Sequence, residues 1–294
     1  METHEFQDRH VLVTGGAGGI GSACARHFLE RGAKVTLVDV DAQRLQQTRI
    51  ALGFPERTGT QVSYLSNAHE CALAAQAAGE PLYALVHMAG LFEQDPLDAE
   101  DRSVWDRAIA SNLTTAYEAV LAFREVRDPG ETTRVVLCTS RAFQRGTPAR
   151  AAAYAAAKGG IVGLVRSFSR DLAPRTLVNA VSPGLIRTRM TSDLVAAMGP
   201  ERLAEIPLGR FGEPEDVAGV VGFHLLDLRA AGRGKFGRGP QPPIETGDGF
   251  AEARVGAVQG QRRIDPHQHA FQGFPILWRP AQSQRGDFTA AGFL

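Results

Sequence analysis

Two residues that handle protons, Tyr154 and Lys158, stand four positions apart in the segment AAAYAAAKGG. The alanines around them predict a helix, and residues four apart lie on the same helix face. An ammonium ion beside a phenol stabilises the phenolate and lowers its pKa towards neutral pH, as a proton-transferring group requires. Tyr154 is therefore the candidate general acid or base. The competing interpretation, an ordinary surface pair, requires a chance match in a chain that has only three lysines and four tyrosines.

Ser140 is the next candidate, because it ends the apolar segment RVVLCTS, which predicts a strand over residues 134–140. Open parallel sheets build their ligand crevice at the carboxyl ends of the strands. A hydroxyl there can hydrogen-bond the oxygen of a substrate. Serine is also common at strand ends as a local cap, so Ser140 alone does not decide between the two roles.

A glycine-rich turn, TGGAGGIG, runs from Thr14 to Gly21, between a predicted strand and a predicted helix. In that position Gly15 allows a tight turn, Gly19 lets the backbone approach a pyrophosphate, and Gly21 permits close helix packing. The helix N-terminus offers free N–H groups to anionic oxygen. A flexible loop is the alternative interpretation.

Asp39 favours the dinucleotide interpretation, because it ends the next predicted strand, KVTLVD, 18 residues after Gly21. A carboxylate in this place accepts hydrogen bonds from the ribose hydroxyls of an adenosine. Its charge repels a 2′-phosphate, and neither Gly18 nor Val40 supplies a cation to neutralise one. The sequence therefore predicts NAD rather than NADP. As a helix cap, the alternative role, Asp41 is better placed than Asp39.

The elements that must position these residues alternate along the chain from about residue 10 to 227. Short β-branched runs predict strands at 10–14, 34–39, 61–65, 82–87, 134–140 and 176–181, and amphipathic segments predict helices at about 19–31, 41–52, 68–79, 102–126, 152–173 and 213–227. This alternation predicts a doubly wound parallel sheet in three layers, an α/β domain over residues 1–227. Residues 228–294 are rich in Gly, Pro and Arg without a regular period, which predicts an irregular, poorly ordered extension.

Composition excludes several classes of protein. Lys and Arg number 32, as do Asp and Glu, so the chain lacks the charge of a dedicated binder of nucleic acid or anionic membranes. No apolar run of about 20 residues predicts a membrane span, and the polar start METHEFQDRH is unlike a signal peptide. The three cysteines show no disulfide or zinc spacing, so we expect a cytoplasmic protein.

Taken in order, these motifs resemble the short-chain dehydrogenase/reductase family. Its TGxxxGIG, NNAG, serine, YxxxK and PG motifs correspond here to TGGAGGIG, HMAG (residues 87–90), Ser140, YAAAK (154–158) and VNAVSPGLIRT (178–188). The similarity covers residues 8 to about 227. It implies a Rossmann-like fold, no metal, and a homodimer or homotetramer assembled through the helices at 102–126 and 152–173.

The resemblance also implies roles for residues that the patterns alone do not single out. Asn112 corresponds to the helix asparagine that holds a water in the family's proton relay. The cofactor site would include Gly15, Gly19, Ile20, Gly21, Asp39, Ala89, Gly90, Tyr154, Lys158, Pro183, Gly184, Ile186 and Thr188. The implied reaction is hydride transfer between a nicotinamide and a secondary alcohol or ketone, with Tyr154 moving the proton, Ser140 orienting the substrate oxygen, and Lys158 binding the ribose.

The chain departs from the family pattern in three places. Residues 64–67 (Tyr-Leu-Ser-Asn) replace Asp-Val, so Ser66 or Asn67 would have to bind the adenine amine. HMAG replaces NNAG. After residue 227 the family's last strand and VDGG-like ending are not recognisable, and we favour a shifted reading frame over a divergent extension or a fragment of a second protein. The tail motif RIDPHQH resembles the metal-binding strand of amidohydrolases, but too few residues follow it to build such a barrel.

Three functions remain open from the sequence. The first is an NAD-dependent alcohol dehydrogenase or ketone reductase. The second is a 3-oxoacyl thioester reductase, which usually prefers NADPH and fits Asp39 poorly. The third is a nucleotide-binding protein that is inactive because of its altered C-terminus. Arg141, Arg145 and Arg150 could receive an anionic substrate group or be solvated loop charges, and residues 190–212 occupy the family's substrate lid.

Overall fold

The computed structural model describes residues 5–96, 100–146, 150–198, 203, 204 and 206–226. The chain divides into two units, residues 1–259 and 260–294, and every described residue belongs to the first. The predicted boundary at residue 227, the tail beyond it and the RIDPHQH motif lie outside the described residues.

Six parallel strands form one sheet: β1 (His10–Thr14), β2 (Lys34–Asp39), β3 (Thr58–Val62), β4 (Ala84–His87), β5 (Thr133–Cys138) and β6 (Thr176–Val181). Their order across the sheet is β3-β2-β1-β4-β5-β6. The chain changes direction across the sheet between β1 and β4, and parallel sheets bind ligands beside such a switch point, at the carboxyl ends of their strands. Both the glycine-rich turn after β1 and Ser140 after β5 lie at this edge.

The helices are α1 (Gly19–Leu29), α2 (Ala42–Leu52), α3 (Ala68–Gln76), α4 (Ser103–Ala108), α5 (Thr115–Val126), α6 (Ala142–Arg145), α7 (Ala152–Asp171), α8 (Ser192–Ala197) and α9 (Pro214–Leu225). A π turn, Ile109–Thr114, joins α4 to α5. Short 3-10 turns occur at Pro55–Arg57 and Arg189–Thr191.

The sheet carries an apolar core on each face, because successive strand side chains point to opposite sides. In β1, Val11 and Val13 pack with residues of α1, α2 and α9, whereas Leu12 packs with residues of α3, α5 and α7. The strands are consequently almost continuously apolar, as expected for a parallel sheet covered on both faces. This arrangement confirms the predicted doubly wound fold.

The third strand differs from its predicted position. The pattern QVSYL predicts a strand over residues 61–65, but β3 begins at Thr58 and ends at Val62. β3 is an edge strand whose side chains are largely exposed, so burial does not impose an apolar pattern on it. Leu65 lies in the loop after the strand. Its side chain is buried, and its backbone has a φ of +54°.

The predicted helix over residues 102–126 is interrupted by the π turn, whose extra residue per turn releases a backbone carbonyl from the usual hydrogen-bond pattern. The Asn112 side chain uses such a carbonyl, because its Nδ2 donates to the oxygen of Ala108 at 3.0 Å. Along the described residues, no helix has the length and apolar character needed to cross a membrane.

Candidate active site

The glycine-rich turn is packed too tightly to accept side chains. Gly15 has a φ of +65°, and a Cβ there would lie 2.8 Å from the backbone nitrogen of Ala89. A Cβ on Gly21 would lie 2.1 Å from the carbonyl oxygen of Gly15, and one on Gly19 would lie 2.9 Å from Cγ2 of Thr188. A side chain at any of these three positions would therefore collide with neighbouring atoms of the loop, of Ala89 or of Thr188.

Asp39 ties the glycine loop to the end of β2. Its Oδ2 accepts from the backbone N–H of Ala17 at 3.0 Å, and its Oδ1 accepts from the N–H of Asp41 at 3.3 Å. Asp41 caps α2, because its side chain accepts from the N–H of Arg44 at 2.9 Å. The prediction that Asp41 is the helix cap is confirmed. Asp39 instead contacts the glycine loop through Ala17.

Arg44 is a residue of this region that the sequence analysis missed. It lies in the first turn of α2, contributes to the cleft wall, and pairs with the Asp41 carboxylate at 2.5 Å. The signal available in the sequence was a basic residue five positions after Asp39, on the helix that follows the strand.

A cleft of about 280 Å³ opens at the carboxyl edge of the sheet. All predicted site residues except Asp39 and Ala89 line it: Gly15, Gly19, Ile20, Gly21, Gly90, Asn112, Ser140, Tyr154, Lys158, Pro183, Gly184, Ile186 and Thr188. The backbone of Ala89 packs directly behind Gly15, and Asp39 contacts the cleft-lining loop through Ala17. The fold thus brings residues from six separate segments to one place.

Tyr154 and Lys158 lie on the same side of α7, with the Lys158 Nζ 5.6 Å from the centre of the Tyr154 ring. Ser140 hydrogen-bonds the Tyr154 side chain. The Lys158 Nζ donates to the carbonyl oxygen of Cys138 at 2.8 Å, and Thr139 Oγ1 donates to the carbonyl oxygen of Lys158 at 2.6 Å. These bonds fix the lysine against the end of β5, beside the serine that β5 delivers.

The electrostatics of this cluster differ from the expected pattern. Burial raises the pKa of Tyr154 above its ordinary value, and the hydrogen bond from Ser140 acts against this rise. Burial also lowers the pKa of Lys158 and raises the pKa of Cys138, so that thiol is neutral near pH 7. The expectation that Lys158 lowers the pKa of Tyr154 is therefore wrong for this structure, where desolvation of the phenol is the larger effect. A protonated Tyr154 is suited to donate a proton to an oxygen.

Asn112 is fully buried and holds the segment after β4. Its Nδ2 donates to the carbonyl oxygen of Leu91 at 2.9 Å, and its Oδ1 accepts from the N–H of Leu91 at 3.3 Å. A Cβ on Gly90 would lie 2.5 Å from the Asn112 Oδ1 and 3.3 Å from the Lys158 Nζ. The absence of a side chain at Gly90 thus allows the asparagine and the lysine to approach the same point.

His87 is the first residue of HMAG, the segment that replaces NNAG. Its side chain is buried and contacts Thr14 and Thr115. Its Nδ1 lies 2.9 Å from Thr14 Oγ1 and its Nε2 lies 3.4 Å from Thr115 Oγ1. Thr115 Oγ1 already donates to the carbonyl oxygen of Ser111, so it accepts from Nε2–H, and Thr14 donates to Nδ1. Thr14 Oγ1 in turn accepts from the N–H of Ala89. A neutral His87 therefore supports the loop that carries Ala89.

We expect His87 to make the protein sensitive to acid. Burial lowers the pKa of His87 to about 3, whereas the unfolded chain has the ordinary value of 6.5. Between these values the unfolded state binds more protons, so the contribution to stability is complete above about pH 6.5 and is lost as pH falls. At pH 4.5 the loss should reach about 3 kcal/mol. Urea unfolding between pH 7.5 and 4.5 should show a smaller loss for His87→Asn than for wild type.

The control for this prediction is His69→Asn, because His69 is exposed on α3. It should reproduce the pH dependence of the wild type. An identical pH dependence in His87→Asn and wild type would contradict the assignment of the acid sensitivity to His87.

Three further residues near the site were also missed by the sequence analysis. The Phe92 ring contacts the Tyr154 ring edge-on, with centres 5.2 Å apart. Arg189 and Thr191 line the cleft beside Thr188, and Thr191 Oγ1 accepts from the N–H of Thr188 at 3.2 Å. For Arg189 and Thr191 the signal available in the sequence was their position within three residues of Thr188, where the PG motif segment ends.

The predicted substitutes for the adenine-binding carboxylate do not reach the cleft wall. Asn67 caps α3, because its Oδ1 accepts from the N–H of Glu70 at 3.0 Å, and its Nδ2 donates to Ser66 Oγ at 3.2 Å. Ser66 and Asn67 thus contribute to the start of α3.

The fold and cleft together define a class of protein. The close-packed glycines, the carboxylate at the end of β2 and the helix N-terminus of α1 fit a dinucleotide, because glycine-rich turns and helix N-termini present backbone N–H groups to phosphates. Tyr154, Lys158 and Ser140 line the other part of the same cleft. These are the parts of a nicotinamide-dependent oxidoreductase.

Comparisons with known proteins identify the family. A family model described as Enoyl-(Acyl carrier protein) reductase matches residues 15–235. The chain is also 33% identical over 246 residues to 2-(S)-hydroxypropyl-CoM dehydrogenase 3 of Xanthobacter autotrophicus, an alignment that covers 78% of this chain and 93% of the relative. The chain belongs to the short-chain dehydrogenase/reductase family and is an oxidoreductase of alcohol and ketone groups.

Solved structures agree with this assignment. A short-chain dehydrogenase/reductase from Brucella melitensis, described as a glucose/ribitol dehydrogenase, is 34% identical with a TM-score of 0.73, and the match covers 78% of this chain and 94% of that one. A 3-oxoacyl-[acyl-carrier protein] reductase with bound NAD from the same organism is 26% identical with a TM-score of 0.68, covering 77% and 87%. The family binds a nicotinamide cofactor.

Proposed function

We propose that this protein is an NAD-dependent oxidoreductase that interconverts a secondary alcohol and a ketone, with Tyr154 as the general acid and base. The observation that carries the proposal is the arrangement of Ser140, Tyr154 and Lys158 in the cleft that the glycine loop also lines. The cofactor supplies the chemistry of hydride acceptance and donation. The chain's own residues bind it, orient the substrate and move one proton.

Each residue has a distinct task in this proposal. The loop of Gly15, Gly19 and Gly21 and the N-terminus of α1 receive the phosphates, and Asp39 accepts from the adenosine ribose. The wall around the nicotinamide half is formed by Ile20, Ala89, Gly90, Pro183, Gly184, Ile186 and Thr188. Lys158 binds the nicotinamide ribose, and Asn112 holds the water of the proton relay.

The proton transfer follows from the state of Tyr154. Because burial raises the pKa of this phenol, it is protonated near pH 7 and donates its proton to the carbonyl oxygen during reduction. The hydrogen bond with Ser140 stabilises the phenolate that remains, and the same serine hydroxyl orients the substrate oxygen. In the oxidation direction Tyr154 must first lose its proton, so that direction should be faster at higher pH.

The second candidate is a 3-oxoacyl thioester reductase, which the related structure with this activity supports. The third candidate is a nucleotide-binding protein without activity. Purified protein distinguishes them: NADH and NADPH are titrated by fluorescence, and secondary alcohols, ketones and 3-oxoacyl thioesters are then screened for turnover. Turnover of simple ketones with NADH supports the first candidate, selective turnover of thioesters the second, and NADH binding without turnover the third.

We predict that Asp39 determines the choice of cofactor. Asp39→Ala should weaken NADH binding by about 10-fold, because hydrogen bonds to a charged group are lost, and should strengthen NADPH binding because the carboxylate no longer repels the 2′-phosphate. The dissociation constants of both cofactors, measured by fluorescence titration, test this prediction.

The matched control for this prediction is Asp171→Ala. It removes the same charge from an exposed residue at the end of α7 that does not line the cleft. This variant should keep its preference for NADH. An unchanged NADH-to-NADPH ratio in Asp39→Ala would contradict the assignment.

We further propose that the protein is a homodimer or homotetramer in the cytoplasm. Trp105 on α4 and Tyr117 on α5 are 41% and 43% exposed, and the Tyr117 ring stacks on Phe168 of α7. An apolar surface on these helices suits contact with a second copy of the chain. The three cysteines are all free and buried, which agrees with a reducing compartment.

A further inference from the structure

Arg141 follows Ser140 directly and is fixed at the rim of the cleft. Its backbone N–H donates to the carbonyl oxygen of Pro183 at 3.1 Å, which joins the segment after β5 to the PG loop. Its side chain passes along Gly184: a Cβ there would lie 3.4 Å from the Arg141 Cδ and 3.6 Å from its Nη1. Ser140 and Gly184 both line the cleft, so the Arg141 side chain lies next to two residues of the cleft wall.

The guanidinium of Arg141 is unusual in having no acceptor. It is half-buried, yet it makes no hydrogen bond or ion pair with the residues that the structure describes. Every other half-buried arginine in those ranges has at least one such partner: Arg9, Arg31, Arg44, Arg49, Arg57 and Arg127. Partial burial of an unpaired cation is unfavourable, and an anionic ligand would remove that cost.

The other two arginines of this segment are placed differently. Arg145 is exposed at the end of α6. Arg150 is exposed, and its Nη2 donates to the carbonyl oxygen of Pro96. Of the three arginines that the sequence singles out between Ser140 and Tyr154, Arg141 therefore has the position and the free donors for a ligand.

We propose that the substrate carries an oxyanion, a carboxylate or sulfonate, which Arg141 binds while Ser140 and Tyr154 hold the reacting oxygen. This inference rests on the proposed function of the same cleft and adds the substrate class to it. The planar guanidinium presents paired N–H donors that match the two oxygens of such a group. Arg141 is thus a specificity-determining residue.

The test compares ketones that carry either a carboxylate or its uncharged methyl ester: acetoacetate with methyl acetoacetate, and 4-oxopentanoate with its methyl ester. With NADH, the wild type should show a kcat/KM about 10- to 100-fold higher for the carboxylate of at least one pair. Arg141→Met should lose this preference by lowering kcat/KM for the carboxylate alone, and Arg141→Lys should retain part of it. The dissociation constant of NADH should not change in either variant.

The control is Arg175→Met, which removes the same charge from an exposed residue just before β6, at the opposite edge of the sheet. It should behave as the wild type. Equal kcat/KM for both members of each pair in the wild type would overturn the proposal, as would equal losses for acid and ester, or a loss of NADH affinity, in Arg141→Met.

A failure of the proposed function is recognised separately, because no member of the panel would then be reduced. In that case the fluorescence of bound NADH is titrated with acetoacetate and its methyl ester. Binding of the acid alone, abolished in Arg141→Met and retained in Arg175→Met, still supports the anion site. Equal binding of both compounds, or no binding of either, overturns it.

Discussion

Replacing Tyr154 by Phe should lower the turnover number by about 10²- to 10⁴-fold, the usual contribution of a positioned proton donor. The substitution removes one oxygen atom and leaves the ring, so the edge-on contact with Phe92 at 5.2 Å is kept. The fold should therefore persist, and the dissociation constant of NADH should change by less than about 3-fold. Steady-state kinetics with a ketone from the screen and fluorescence titration of NADH provide the two measurements.

Tyr64→Phe is the matched control, because Tyr64 is 70% exposed in the loop after β3 and does not line the cleft. It should turn over at the wild-type rate. Activity of Tyr154→Phe near the wild-type level would contradict the role of the Tyr154 hydroxyl in proton transfer. Parallel losses of activity and NADH binding would instead indicate a structural role.

Replacing Gly21 by Ala should have the largest effect on the cofactor site. The new Cβ would lie 2.1 Å from the carbonyl oxygen of Gly15 and 2.8 Å from its carbonyl carbon, and backbone atoms cannot move aside as a flexible side chain can. Either α1 or the glycine loop must shift. We expect a loss of about 3 kcal/mol in the free energy of unfolding, at the upper end for an overpacked position, and at least about a 100-fold weaker affinity for NADH.

Gly219→Ala is the corresponding control. Gly219 is exposed within α9, and a Cβ there meets no atom within 4 Å. Alanine is favoured over glycine in a helix interior by about 1 kcal/mol, so this variant should be at least as stable as the wild type and should bind NADH normally. Urea unfolding and fluorescence titration compare the two variants. Wild-type affinity in Gly21→Ala would show that the loop does not determine the dinucleotide site.

The regular elements were well predicted where burial imposes a pattern. β1 and β2 match their predicted limits, because their apolar residues are covered by helices on both faces. β6 also matches, although it lies at an edge of the sheet, because four of its six side chains are buried. β3, at the other edge, begins three residues earlier than predicted, since its largely exposed side chains lack this constraint. The π turn around Asn112 was not predicted, because local helix preferences do not reveal where a side chain competes for a backbone carbonyl.

Site residues were predicted where a motif ties residue type to spacing, as for the glycine loop and the pair Tyr154 and Lys158. Arg44, which lines the cleft, and Phe92, which contacts the Tyr154 ring, were missed, because each lies in a segment whose sequence has no such pattern. The role of His87 also required the structure, since its partners Thr14 and Thr115 are 73 and 28 residues away. Contacts of this kind depend on which elements the fold places side by side.

The sequence by itself determined the class of fold, the family and the identity of the reactive groups, because hydrophobic periodicity and fixed spacings are local properties of the chain. Tertiary structure decided the direction of the pKa shift of Tyr154. Burial raises this pKa, whereas the spacing to Lys158 predicts a lowered one, and burial also lowers the pKa of Lys158. It also decided which arginine is free, since Arg44 pairs with Asp41 while Arg141 lies along Gly184. Desolvation and charge pairing depend on atoms from distant segments, and only the folded chain brings those atoms together.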